Sequence, residues 1–323
     1  MIPKIDQYSP EEIVTARSSW PAVDLYLNLI SRVSNGPGDT LRIKRHHAWI
    51  RCALATFFRK SSPNDICLYW SKIAESLILE AWKQVGGDQL EICVLAMGKL
   101  GSEELNLSSD VDLIFIREDF RDQTAPELEN ETRILRAFQN LLTEYTEFGF
   151  ALRVDLNLRP GGKSSPLLQT YSQMEYHYGY LGEMWERLAF VRLRILAGPA
   201  DLSKKIEKFT TRYCYRKHLD YTVLDELKSL RTQIQRETKI TSDSFHLKLG
   251  YGAIRDVELY VQSLQIIHGG RILDLRTQST SNAISKLSVH ALLPNAEAVK
   301  LSCHYWYLRE IENSIQSIND QQS

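Results

Sequence analysis

The chain has 323 residues, room for two or three domains of about 100 to 200 residues each, with 43% hydrophobic and 24% charged residues, ordinary globular proportions. Thirty-nine basic against forty acidic residues give a net charge of −1, so no global field favours nucleic acid as a partner. No apolar run reaches the roughly 18 residues of a membrane span, the N-terminus lacks a secretory apolar core, and five scattered cysteines without a C-x-x-C pair suit a reducing cytosol: a cytoplasmic protein with no membrane partner is expected.

The first 86 residues read as helical. Ser9-Pro10-Glu11-Glu12 is a helix start: an N-cap, proline at the first helical position, then acids. One helix is predicted over 10–34, with Pro21 breaking or kinking it, and Asn35 to Asp39 is a turn cluster. Helices over 40–60 and 64–84 follow, the second with Ile66, Tyr69, Trp70, Ile73, Leu77 and Trp82 on one face. The basic run Arg42 to His47 reads as a solvated helix face rather than a nucleic-acid site.

Residues 91–117, EICVLAMGKLGSEELNLSSDVDLIFIR, organise the rest. Ile92 to Met97 reads as a buried strand, Gly98 to Ser102 as a turn, and Val111 to Ile116 as a second strand with Asp110 and Asp112 at its mouth. Alternation along a strand puts both acids on one face and turns Val111 and Leu113 into the core. Paired carboxylates repel and are costly to desolvate; a hard divalent cation offsets both costs, since Mg²⁺ takes carboxylate and phosphate oxygens together. Gly101 and Ser102 lie where a backbone can approach a phosphate. The ordered combination points to metal-assisted nucleotidyl or phosphoryl transfer. Ser108 and Ser109 have no local His partner and read as loop-shaping residues.

A polar loop (118–126) leads to a helix predicted over 127–148, with Leu128, Ile134, Leu135, Phe138, Leu141 and Leu142 buried. Ala151 to Leu158 alternates as a strand with Asp155 on the polar face beside Arg153, Asn157 and Arg159. On spacing alone Asp155 reads equally well as a third metal carboxylate or as an ion-pair partner of Arg153 or Arg159. Lys163, in the loop that follows, contacts phosphate or is solvated. A long helix is predicted within 167–197, its aromatics read as core, and Arg194 as surface charge. Five helices complete the chain, over about 201–218, 221–239, 252–268, 278–289 and 294–318. Between two of them, Lys248-Leu249-Gly250-Tyr251-Gly252-Ala253-Ile254-Arg255 is either an anion site at a helix start or a plain turn with surface charges. No histidine spacing suggests zinc.

GKLGSEELNLSSDVDLIF resembles the signature of the glutamine synthetase adenylyltransferase/adenylyl-removing enzymes, within the DNA polymerase β-like nucleotidyltransferase superfamily. RVDLNLRPGG, the W-E-R-x-A run at 185–189 and KLGYGAIRDVE resemble further motifs of that family, over about residues 80–323. Asn157 stands where the family has arginine, Ser165 where it has glycine, and Ala253 replaces another glycine. The resemblance implies an α+β, mostly helical fold: a polymerase β-like sheet (87–200) between an N-terminal helical region (1–86) and a C-terminal helical bundle (201–323). It also implies Asp110, Asp112 and Asp155 as catalytic metal ligands for Mg²⁺ or Mn²⁺. Gly101, Ser102, Ser109, Arg159, Lys248, Gly250, Gly252 and Arg255 would bind phosphate or nucleotide, and Glu186, Arg187 and Arg192 would support the site by ion pairs.

One D-x-D site corresponds to one half of a duplicated family member. The Leu105-Asn106 pair, the W-E-R-x-A-F-V-R run and YCYRKHLDY (213–221) resemble the adenylyl-removing half. Ile318 to Ser323 resembles a motif followed by more chain, so a fragment is expected. The implied reaction is phosphorolysis of adenylyl-tyrosine on glutamine synthetase, giving ADP, with the PII signal protein as a further partner. Forward adenylylation from ATP, a polymerase-like enzyme, and a catalytically weak regulatory module are the alternatives.

Overall fold

Proline opens each of the first four helices, where its missing N–H is no loss: α1 (Pro10–Ser19), α2 (Pro21–Ile30), α3 (Pro37–Phe57) and α4 (Pro63–Gln84). Ser9 and Ser62 cap α1 and α4 by accepting from the Glu12 and Asp65 amides. Pro21 therefore separates two helices rather than kinking one. The computed structural model describes residues 1–34, 36–119, 125–216, 222–237 and 246–321. Asn35 of the first turn cluster, Asp122 of the polar loop, residues 217–221 of the YCYRKHLDY segment, the end of the helix predicted to 239, and Gln322 and Ser323 lie outside the described residues.

The middle of the chain runs β1 (Ile92–Ala96), a one-turn helix α5 (Gly98–Gly101), β2 (Val111–Arg117), α6 (Ala125–Thr143), β3 (Val154–Asp155) and β4 (Leu168–Thr170). It continues through α7 (Tyr171–Tyr176), a π-helical segment (His177–Leu181), α8 (Met184–Val191) and β5 (Arg194–Ala197). The remainder is α9 (Ala200–Cys214), α10 (Thr222–Glu237), α11 (Ile254–His268), α12 (Thr280–Val289) and α13 (Asn295–Asn319).

The sheet is mixed, in the order β3-β2-β1-β5, with β4 also on β2. β1 is antiparallel to β2 and β5. β3 pairs parallel with the first two residues of β2 and β4 with its last three. The fold is α+β and mostly helical, as the sequence implies. Ile92, Val94 and Ala96 on one face of β1 join the core of α1–α4. Cys93, Leu95 and Met97 on the other face pack under α7–α9. A third core lies among α11, α12 and α13.

Several expectations need correction. The predicted strand over 151–158 shrinks to two residues. The Ala151 and Leu152 amides both donate to the Leu142 carbonyl, and the Asn157 amide turns back onto Asp155 Oδ1. The predicted long helix over 167–197 is broken into β4, α7, the π segment, α8 and β5; Glu183 caps α8 with Glu186 in a capping box. Leu128 is exposed. The basic run on α3 is not solvated: Arg42, Arg45 and His46 are buried. Arg42 donates to the Gly149 and Glu144 carbonyls, Arg45 pairs with Asp320, and His46 meets the Phe148 carbonyl. A buried guanidinium needs partners, and Arg42 and Arg45 find theirs more than 100 residues away.

Candidate active site

β1 hands the chain to α5 through a tight exchange with β2. The Met97 amide donates to the Asp112 carbonyl at 2.9 Å. Gly98 then takes φ +55°, and a Cβ there would lie 2.5 Å from Asp112 Oδ2. Glycine is therefore what lets this carboxylate lie against the backbone. Val111 and Leu113 are buried as alternation requires. Asp112 and Asp155 are Cα partners in the parallel β2–β3 pair. Asp110, Asp112 and Asp155 all line one cavity of about 600 Å³, together with Ser109, Lys248 and Arg255. Asp110 and Asp155 also line an adjoining hollow of about 390 Å³ that holds Asn157, Arg159 and Lys163.

The three acids put like charges on one cavity wall. Burial, then Asp155 and Asp110, push the Asp112 carboxyl up to about 7, with Lys248 and Lys99 opposing. The ion-pair alternative for Asp155 is not what the structure shows. Among the described residues, Arg153 pairs with Asp320, and Arg159 donates to the Leu156, Lys163 and Ser165 carbonyls.

The other predicted residues divide. Gly101 and Ser102 line neither hollow. Their amides donate to the Met97 and Gly98 carbonyls inside α5. A Cβ on Gly101 would stand 1.8 Å from the Arg192 carbonyl, so this glycine permits close packing under the α8–β5 junction. The turn before α11 also spends its amides internally: Gly250 donates to His246, Gly252 to the Asp256 carboxylate and Arg255 to Lys248. Lys248 and Arg255 themselves are exposed side chains at the cavity. Arg159 holds together the loop after β3.

Four cavity residues, Lys99, Glu258, Glu312 and Gln316, went unread. Lys99 on α5 donates to Asn106 at 2.9 Å and to both Glu312 oxygens at 3.0 Å; burial and Arg309 bring its ammonium down to about 8 against the pull of Glu312 and Glu258. Arg192 meets Glu258 at 3.1 Å, rather than Glu186, which accepts from His177. Burial would raise the Glu258 carboxyl, but Arg192, Lys99 and Arg309 hold it at about 2. Glu312 and Gln316 come from α13. Their signal was a polar stripe at helical spacing (Arg309, Glu312, Asn313, Gln316, Asp320), all buried. Arg194, read as surface charge, bonds Glu75 and the Gly101 and Leu100 carbonyls.

The donor set suits a hard divalent cation: three carboxylates on one cavity, one of them disfavoured as a bare anion. Among the described residues no group of three or more His, Cys, Asp or Glu side chains stands close enough together to hold a metal ion by itself; Mg²⁺ ordinarily draws further ligands from waters and substrate phosphates.

Residues 15–209 match the family described as glutamate-ammonia ligase adenylyltransferase, and residues 227–323 match the family described as GlnD PII-uridylyltransferase. The chain is 35% identical over 302 residues to the bifunctional glutamine synthetase adenylyltransferase/adenylyl-removing enzyme of Shewanella woodyi, covering 88% of this chain and 32% of the relative. The Shewanella loihica protein of that name gives the same figures, and that of Pseudomonas syringae pv. tomato is 33% identical over 306 residues, 88% of this chain and 31% of the relative. The chain thus spans about a third of the length of the curated relatives it matches. With more than half of its residues matched by the first of these descriptions, the chain belongs to the glutamate-ammonia ligase adenylyltransferase family.

Proposed function

We propose that the chain is a nucleotidyltransferase that removes AMP from adenylyl-tyrosine of glutamine synthetase by phosphorolysis. The observation that carries this reading is the convergence of Asp110, Asp112 and Asp155 on a cavity with Lys248 and Arg255 beside it. The three acids would hold Mg²⁺ or Mn²⁺. The metal would polarise the phosphoryl oxygens and stabilise the leaving tyrosinate. Lys248 and Arg255 would take the negative charge of inorganic phosphate. Gly98 keeps the Asp112 carboxylate against the α5 backbone, so the acid is placed before substrate arrives. An oxygen of hydrogen phosphate bonds to the adenylyl phosphorus, the bond to the tyrosine oxygen breaks, and the phosphate proton passes to tyrosine. The products are ADP and unmodified tyrosine. Phosphate is already anionic near neutral pH, so no dedicated general base is assigned.

The second reading runs the same site forward, moving AMP from ATP to tyrosine. It is kept because the relatives are named as bifunctional. The PII signal protein is a proposed partner, in line with the likeness of residues 227–323 to a PII-uridylyltransferase family. The cytoplasm is the proposed compartment; all five cysteines are free thiols, and no helix among the described residues is long and apolar enough to cross a membrane. The test is ADP release from adenylylated glutamine synthetase with phosphate and Mg²⁺, beside an arm with unmodified enzyme and ATP. ADP release lost in Asp112→Asn is expected; AMP transfer in the ATP arm alone would overturn the direction.

A further inference from the structure

The end of α13 reaches back to the acidic strands through one side chain. Asp320 follows α13 in the left-handed conformation (φ +50°), and its carboxylate is almost fully buried. One oxygen accepts from Ser108 Oγ at 2.5 Å and faces Arg153 Nη1 at 3.4 Å; the Asp320 carbonyl accepts from Arg153 Nη2 at 2.5 Å. The other oxygen takes Arg45 Nη2 at 2.5 Å and the Tyr26 hydroxyl. Ser108 stands two residues before Asp110, and Arg153 two residues before Asp155. The β2–β3 ladder starts between these anchors, where the Val111 amide donates to the Arg153 carbonyl at 2.9 Å. Gln316, one turn earlier on α13, receives the Ser108 amide at 3.1 Å.

The geometry points to Asp320 as a positioning residue for the metal carboxylates: it ties the segment leading to Asp110 and the segment leading to Asp155 to one buried anion, and so fixes their mutual placement. This rests on the metal reading above. Asp110 precedes β2 and β3 is only two residues long, so the sheet alone holds these acids weakly. Two loops clamped to one carboxylate lose relative freedom before any cation arrives. Holding ligands in place ahead of binding is how groups behind the ligands raise affinity.

The test measures Mn²⁺ binding by electron paramagnetic resonance of the free ion, together with hydrogen exchange at the Val111 amide without metal. It compares the full chain with Asp320→Asn, Ser108→Ala, Tyr26→Phe and Asp112→Asn, each confirmed folded by circular dichroism at the assay temperature. Asparagine tolerates the left-handed backbone, so Asp320→Asn alters charge and bonding rather than chain path. Tyr26→Phe removes a bond from the same carboxylate without touching either acidic segment. The expected result is Mn²⁺ binding weakened about tenfold in Asp320→Asn, a smaller loss in Ser108→Ala, wild-type affinity in Tyr26→Phe, and faster Val111 exchange in Asp320→Asn. Loss in Asp112→Asn with wild-type binding in Asp320→Asn overturns the positioning role alone. Equal weakening in Tyr26→Phe and Asp320→Asn also overturns it, by showing general loosening. Wild-type binding in both Asp112→Asn and Asp320→Asn overturns the metal reading and this role with it.

Discussion

Asp112 and Asp155 stand opposite each other as Cα partners in the parallel β2–β3 pair. Elsewhere in the cavity wall the anions are matched, as Glu258 is by Arg192 at 3.1 Å. Among the described residues neither of these two stands in an ion pair, and the Asp155 charge adds to the rise of the Asp112 carboxyl. Asp112→Asn removes one charge at nearly constant volume. It is expected to raise the thermal midpoint in EDTA and to abolish the further rise that Mg²⁺ gives the parent chain. A lower midpoint in EDTA would show that the Asp112 charge stabilises the fold.

The same pair sets a pH dependence. The Asp112 carboxyl is raised from 3.8 to about 7, so the folded state holds this proton more tightly than the unfolded chain does. Its ionisation therefore works against folding, beginning as pH rises past 3.8 and complete above about 7. A cation competes with that proton. Calorimetric Mg²⁺ titrations should show affinity climbing between pH 6 and 8, with proton release at the lower pH that Asp112→Asn lacks. Flat affinity across that interval would remove Asp112 from the ligand set.

Two glycines of α5 should fail in different ways. A Cβ on Gly101 meets the Arg192 carbonyl at 1.8 Å and the Ala96 carbonyl at 2.8 Å, both backbone atoms, one at the end of α8 and one in β1. Gly101→Ala is expected to cost about 3 kcal/mol or more, by chemical denaturation. At Gly98 the obstruction is the mobile end of Asp112, so the carboxylate moves instead. Gly98→Ala should lose about 1–2 kcal/mol from its positive φ and bind Mn²⁺ more weakly. Equal stability losses in the two variants would contradict this division.

How far the sequence disclosed this site depends on the range of the contact. Asp110 and Asp112 were legible because alternation along a strand is local, and Pro21, Ser9 and Ser62 marked helix ends by equally local chemistry. Asp155 was legible only as a choice, because its alternating neighbours Arg153 and Arg159 were plausible partners; Arg153 goes instead to Asp320, 167 residues on. Arg45 and Arg194 looked solvated because charge on a helix or strand is normally exposed. Their burial depends on partners from distant elements, which no window of periodicity can show. The phosphate role expected of Gly101 came from the room a glycine leaves beside the backbone; in the structure that room is taken by the Arg192 carbonyl, 1.8 Å from where a Cβ would stand.

The α5–α13 contact can be tested by exchanging its charges. Lys99 is half-buried between Asn106 and Glu312, and Glu312 also lies 3.5 Å from Arg309 Nε. Lys99→Met removes one cation from the Glu312 carboxylate, which keeps Arg309 at 3.5 Å, and removing one partner of a buried pair costs about 3–5 kcal/mol. Because Arg309 supplies part of the compensation, the lower end of that range is expected. Adding Glu312→Gln removes the carboxylate charge that lost Lys99, so the double variant should be more stable than Lys99→Met alone in urea unfolding. The coupling identifies the contact as an ion pair rather than a packing contact, since the packing lost at position 99 is the same in both variants. A double variant less stable than Lys99→Met would mean that Glu312 is held mainly by Arg309, and that Lys99 only borders the pair.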